Sequence, residues 1–338
     1  MRASSAVLTD TSTRLWGLEF PRGQALLHRT RAPYVALENL IAFSKRDRDG
    51  KVDAYLVAYL PDEVVLLFFL GGELVNATVL TSAGRTAVAL GDALQRIEVG
   101  SERGEIAFHE AAPELLAAMY GSCAQSPLAI PLDTKSPDTI FQALLEKQWT
   151  GLLELISNGR VNYLTVSGGK VASGFYAARG PDEPALSYVA RLFTSTAPEP
   201  LPTVAVHLYD PPRPLPVQAA PALIAMFRSY VWDLTELIEG EAPGEGTKRA
   251  ERVRQRLIPK HQVLDFVGGA RGVERPDPVV EPAALADGVA AWTRELLSEL
   301  EVLAPQSAPR LVRQSGREHR FALNAVGFFD KLPWRVQW

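Results

Sequence analysis

At 338 residues, with 47% hydrophobic and 22% charged side chains, the chain is long enough for two or three domains and has an ordinary globular make-up. A formal net charge of −4 argues against non-specific nucleic-acid binding by the whole molecule. The lone Cys123 excludes an internal disulfide, the start MRASSAVLTDTSTRLWGLEF lacks a secretory apolar core, and the longest apolar run, Val64 to Leu70, is too short to cross a bilayer, so a cytoplasmic protein without membrane contact is expected.

Residues 1–36 read as an N-terminal extension and Leu37-ENLIAF as a short helix. From Gly50 the chain runs KVDAYLVAYLPDEVVLLFFL, then Gly71-Gly72, then ELVNATV, which predicts three strands joined by a Pro61-Asp62 turn and a Gly-Gly turn. Alternation here does not separate an apolar face from a polar one. Val52, Ala54, Leu56, Ala58 and Leu60 point one way, Tyr55, Val57 and Tyr59 the other, and the next strand is apolar throughout. Such a sheet expects cover on both faces. A helix suits one face; the other must meet a second module, the C-terminal region or another chain, with cover from within the molecule favoured. Pro113-ELLAAMY is helical and closes a first module at 37–121, and the Ser- and Pro-rich stretch 122–137 reads as a linker.

The second module, 138–212, repeats the pattern. Ile140-FQALLEKQ is helical, strands are expected over Leu152–Ser157, Arg160–Ser167 and Lys170–Ala177, and Asn158-Gly159 and Gly168-Gly169 supply the turns. The prolines from Pro198 to Pro221 predict an extended connection. From 213 to 338 the periodicity turns helical: Ala222–Glu239, then a basic helix KRAERVRQRL capped by Thr247, then LIPKHQVLDFV ending at the glycines of Gly268-Gly269-Ala-Arg-Gly272, Pro282–Leu303, and Phe321 to Pro333. The expected fold class is therefore α+β, with two repeated modules of antiparallel β-meander and flanking helices followed by a helical C-terminal region.

At the repeated residues the chain resembles PATAN, a bacterial domain found at the N-terminus of PatA-type response regulators, here as two divergent repeats. The resemblance rests on the helix before the glycine (Phe141-QALLEKQWTG), the hairpins after it (LLELISNGRVNYLTVSGGKVASGFYA), the helical tail, and the matching pieces Gly169-KVASG and Gly72-ELVNA. It covers about 37–120 and 138–176. It implies a non-enzymatic module of signalling or regulation that acts through protein contacts. The receiver domain often attached in that family has no counterpart pattern in this chain, so only the interaction role carries over.

Candidate chemistry is sparse. His28, His109, His207, His261 and His319 are scattered without metal-ligand spacing; His109-Glu110 meets Pro113 where a zinc helix needs its second histidine. Asp47-Arg48-Asp49-Gly50 reads as a solvated turn lacking the other calcium ligands, and no phosphate-binding P-loop occurs. Neither cofactor nor metal is expected. The reading is an adaptor or scaffold that self-associates or binds a protein partner, with Tyr55, Tyr59, Arg160 and Lys170 as exposed contact residues of strands and turns. The alternative is nucleic-acid or acidic-partner contact through Arg249, Arg252, Arg256, Arg313 and Arg317. A third reading, an enzyme built from distant residues, predicts a cleft gathering His207 or His319 with carboxylates of strongly shifted pKa.

Overall fold

The computed structural model describes residues 15–44, 52–194, 204–268, 271, 275–301, 307–336 and 338. The acidic turn at 47–50, the start of the proline-rich stretch, most of the glycine-rich stretch after 268 and the end of the long helix at 303 lie outside the described residues. The chain divides into two compact units, Met1–Val88 with Ala93–Pro216, and Ala89–Asp92 with Val217–Trp338.

The first unit holds both repeats, and its fold is α+β. The first begins with β1 (Ala25–Arg31) and α1 (Leu37–Phe43), then the expected meander β2 (Ala54–Tyr59), β3 (Glu63–Leu70) and β4 (Glu73–Thr81). A further hairpin strand, β5 (Gly84–Val88), is added, followed by α2 (Leu90–Gly100), β6 (Glu105–Glu110) and α3 (Pro113–Ala124). The second repeat comprises α4 (Pro137–Glu146), β7 (Gly151–Ser157), β8 (Arg160–Ser167), β9 (Lys170–Phe175), α5 (Ala185–Leu192) and β10 (Ala205–Tyr209). The sheets run β1-β6-β2-β3-β4-β5 and β10-β7-β8-β9, antiparallel throughout. In each, a strand returns past a helix to lie beside the first strand of the meander: β6 beside β2 after α2, and β10 beside β7 after α5.

The repeat is therefore larger than the meander legible in the sequence. β10 lies within the stretch read as an extended connection, yet it pairs residue for residue with β7, from Ala205 opposite Ile156 to Tyr209 opposite Leu152. The prolines after it stand outside the ladder, where a missing N–H costs nothing. α3 likewise continues to Ala124, past the expected start of the linker.

The Gly-Gly turns show how closely the copies correspond. Gly71 N–H donates to Asp53 Oδ1 (2.6 Å) and Gly72 N–H to the Val52 carbonyl (2.9 Å). Gly168 N–H donates to Thr150 Oγ1 (2.9 Å) and Gly169 N–H to the Trp149 carbonyl (2.8 Å). Both turns hold φ of +55° and +77°, which favours glycine at each position. Asn158 and Gly159 also take positive φ, as a two-residue hairpin of this sequence requires.

The second apolar face of the first sheet is covered by the other repeat. Tyr55, Val57 and Tyr59 of β2 and Val64, Leu66 and Phe68 of β3 share one core with Leu152, Ile156, Val161, Tyr163 and Tyr209 of the second sheet and with Leu115, Leu116 and Met119 of α3. The opposite face of the second sheet, Leu153, Leu155, Leu164, Val166 and Leu208, is buried under Ile140 and Leu144 of α4 and Tyr188, Val189 and Leu192 of α5. α4 starts where Ser136 Oγ accepts the Thr139 N–H at 3.2 Å. Ser136→Ala is expected to lower the unfolding free energy by about 1 kcal/mol, measurable as a fall in the urea midpoint at unchanged slope.

The second unit is helical: α6 (Pro221–Glu241), α7 (Gly246–Leu257), α8 (Leu264–Val267), α9 (Pro282–Glu301), α10 (Ala308–Gly316) and α11 (Arg320–Ala325). The stripes expected on α6 and α9 form its core, where Phe227, Tyr230, Leu234 and Ile238 meet Leu285, Val289, Trp292 and Leu296. Buried Trp292 satisfies its indole N–H on the Ala250 carbonyl at 3.1 Å. Three local expectations are corrected. Thr247 does not cap α7, because its hydroxyl and N–H both donate to Glu239. LIPKHQVLDFV is not one helix: α7 ends at Leu257, before Pro259, and beyond it only Leu264–Val267 of this segment is helical. The last helix stops at Ala325, ahead of Gly327 at φ +65°, and a short 3-10 turn follows at Phe329–Lys331.

Candidate functional site

Two places in the first unit gather polar side chains. The first is buried between the sheets. Leu152 and Ile156 of β7 point into the shared core, and the two-residue period of a strand sends Glu154 the same way. Arg85 of β5 meets it, Nη1 to Oε1 at 2.6 Å, with side-chain exposures of 1% and 0%. His207 Nδ1 stands 2.9 Å from the other carboxylate oxygen, and Tyr209 donates its hydroxyl to that oxygen at 3.4 Å. Arg85 also donates to Ser122 Oγ (3.4 Å), which lies 3.2 Å from the Tyr163 hydroxyl and donates to the Met119 carbonyl (3.0 Å).

Burial alone pushes the Glu154 carboxyl up, but the Arg85 guanidinium and the hydrogen bonds from His207 and Arg85 outweigh it and hold the pKa at about 2. Burial raises the Tyr163 hydroxyl and the Cys123 thiol beside this cluster, keeping both protonated. An ionised carboxylate so far below neutral is a weak base. The cluster thus places His207 beside a strongly shifted carboxylate, inside the sheet-to-sheet core and away from the open cleft. His319 is half-buried, and its Nε2 has no hydrogen-bond partner.

The second place is an open cleft of about 700 Å³ to which both repeats contribute. Arg22 and Gly23 precede β1, Asp53 precedes β2, and Glu110 to Ala112 join β6 to α3; Gly174 to Tyr176 and Arg179 come from the end of β9 and beyond. Arg179 lies over the Tyr176 ring (5.1 Å) and donates to the Glu183 carbonyl (2.7 Å). Asp53 is committed to the Gly71 turn. His109, next to Glu110 in sequence, is buried against Tyr55 with ring centroids 5.5 Å apart. Burial, then Arg22 and His28, lower its pKa to about 4, so it is neutral at pH 7.

The expected contact residues fare differently. Tyr55 and Tyr59 are not exposed: both are buried, and their hydroxyls donate to the Pro21 (3.0 Å) and Leu18 (2.8 Å) carbonyls. They tie the segment before β1 onto β2, because both faces of that strand are covered. Burial raises both phenols, Tyr59 to about 12. Arg160 pairs with Glu19 at 3.3 Å near the surface, and Lys170 is exposed on the edge strand β9.

The α7 arginines are met by carboxylates of α9. Arg252 reaches Glu299 (2.8 Å), Arg256 reaches Glu295 (2.5 Å) and Glu299 (3.1 Å), and half-buried Arg249 approaches the Glu299 carbonyl (3.5 Å). Arg254 is buried, bidentate to Glu251, and donates to the Leu264 carbonyl. Arg313 and Arg317 are exposed. Sequence reasoning passed over Arg85, Glu154, Arg22 and Arg179. For Glu154 the signal was present: one acid at a core-phase position of the apolar strand LLELI.

Among the described residues, no group of three or more His, Cys, Asp or Glu side chains is arranged to hold a metal ion, and no helix is long and apolar enough to cross a membrane. Compared with protein-family models, curated proteins and solved structures, the chain matches none.

Proposed function

We propose that the chain is a non-catalytic adaptor or scaffold of the bacterial cytoplasm, acting through protein contacts in signalling or regulation. One observation carries this reading. Among the described residues the most deeply buried ion pair, Arg85 with Glu154, lies inside the contact between the two repeats with His207 beside it, where it joins one sheet to the other. What the first unit turns outward is a mixed-charge cleft beside the exposed edge strand β9. Burial of a paired charge cluster suits a fixed architecture better than turnover of a substrate, and the resemblance to PATAN repeats agrees with it.

The alternative, nucleic-acid contact, has less support. Arg252 and Arg256 face Glu295 and Glu299, which reduces the positive field that a phosphate backbone requires. Only Arg313 and Arg317 of that set remain exposed without a carboxylate at salt-bridge distance among the described residues.

The test is affinity capture of the full chain from its native host after nuclease treatment, at low and at high salt, read by mass spectrometry. A stoichiometric protein that survives both conditions is the expected result. Recovery of only nuclease-sensitive or salt-labile material overturns the adaptor reading and brings the arginines forward.

A further inference from the structure

The matching Gly-Gly turns fix which residues of the two repeats correspond. Counting back along the strands from the Gly71 and Gly168 hydrogen bonds, Asp53 corresponds to Thr150 and Val57 to Glu154. Strand pairing confirms this register: Val57 lies between Leu66 and Ala107, and Glu154 between Tyr163 and His207. Where the first repeat sets valine beside alanine, the second therefore sets a glutamate beside a histidine. The cation that answers them, Arg85, sits on β5, a strand without a counterpart among the described residues of the second sheet, which ends at β9. The buried cluster is thus built from the places where the two copies differ.

The faces themselves are otherwise alike. Each presents large apolar side chains from the same strands of the same topology, so hydrophobic burial alone does not distinguish a first repeat from a second as partner. Buried ion pairs add little stability over well-packed apolar side chains, whereas an unpaired buried charge is strongly unfavourable. Two second repeats set face to face would bury two Glu154 carboxylates with no guanidinium. Two first repeats would bury Arg85 twice with no carboxylate. Only the mixed pair sets the guanidinium against the carboxylate, with a hydrogen bond between them. This is discrimination by penalty on the wrong partner.

We infer that Arg85, Glu154 and His207 are specificity residues: they direct the first repeat's inner face to the second's and exclude pairing of like faces between two copies of this chain. The cluster keeps a duplicated, two-sided apolar sheet from joining its counterpart on another molecule, leaving the rest of the surface free for other partners.

The experiment uses the full chain carrying Arg85→Met, Glu154→Leu and His207→Leu together, which removes the charges while keeping the site filled. Cooperative thermal unfolding close to that of the unaltered chain is expected, together with a sedimentation mass that rises with concentration beyond the unaltered chain's. A triple variant that folds and keeps the unaltered chain's mass at every concentration overturns the inference. Should the triple variant fail to fold, charge reversal decides the matter. Chains with Arg85→Glu alone or Glu154→Arg alone are expected to lose the native circular dichroism, and to recover it as a one-to-one heterodimer when refolded together. A refolded mixture no better structured than its components, or single reversals that remain native, overturns the inference as well.

Discussion

Replacing Arg85 by methionine is expected to lower the unfolding free energy at pH 7 by about 3–5 kcal/mol, the usual cost of stranding one member of a buried ion pair. Glu154 is then left in the sheet-to-sheet core with His207 and Tyr209 as its remaining polar partners. Glu154→Gln strands the guanidinium instead and acts in the same direction. Changing both partners to apolar residues restores most of the loss, because neither desolvated charge remains. Arg160→Met is the matched control: its Glu19 partner is at the surface, and the expected change is within about 1 kcal/mol. Urea unfolding followed by far-ultraviolet circular dichroism gives all four values. A single Arg85→Met substitution no more costly than Arg160→Met would show that Glu154 is solvated or rearranged.

Acid sharpens the test. The folded pKa of Glu154, about 2, lies below the roughly 4.3 of an unfolded glutamate, so ionisation favours the folded state. That contribution is fully present above pH of about 4.3 and is lost as pH falls through about 2; its size is about 3 kcal/mol. In Arg85→Met the largest downward influence is gone and burial pushes the carboxyl up. Protonation then relieves the stranded charge, and the variant loses less on acidification than the unaltered chain. The two melting temperatures are expected to converge as pH is lowered from neutrality, and a constant gap would speak against this cluster as its origin.

What the sequence made legible follows from the range of the interactions involved. The meanders were readable because turn chemistry is local: Asn158-Gly159 and both Gly-Gly pairs need positive φ whatever surrounds them. The stripes of α6 and α9 were readable because burial of one helix face imposes its own period. β10 was not, since Ala205–Tyr209 is short, borders a proline-rich stretch, and becomes a strand only when β7 offers its edge. Tyr55 and Tyr59 show the same limit from the other side. Strand alternation correctly set them opposite Ala54 and Leu56, but the cover that makes their face an interior one, from the second repeat, α3 and the segment before β1, lies outside any local window. The site depends on longer range still, for Arg85 and Glu154 are 69 residues apart and each looks unremarkable in its own strand. The α7 arginines met the converse problem: a solvated basic face and a face answered by Glu295 and Glu299 of another helix read identically in one dimension.

Gly169→Ala is expected to cost more than about 4 kcal/mol, the range reserved for severe local conflict, while Gly168→Ala next to it costs about 1 kcal/mol. Both glycines have positive φ, so the conformational penalty of adding a Cβ is shared. Space separates them. A Cβ on Gly168 meets nothing within 4 Å, whereas one on Gly169 falls 2.3 Å from Leu145 Cα and 2.6 Å from the Leu144 carbonyl oxygen. Those are backbone atoms at the end of α4, and they cannot swing aside as a side-chain tip does. Relief requires lifting α4 from the second sheet, which would uncover Ile140 and Leu144, both buried in the core beneath it. Loss of the Gly169 N–H bond to the Trp149 carbonyl would follow. Urea midpoints for the two variants, compared at equal slope, read the difference directly. Equal losses would mean that α4 yields freely, and that the second repeat does not depend on this helix being seated against its Gly-Gly turn.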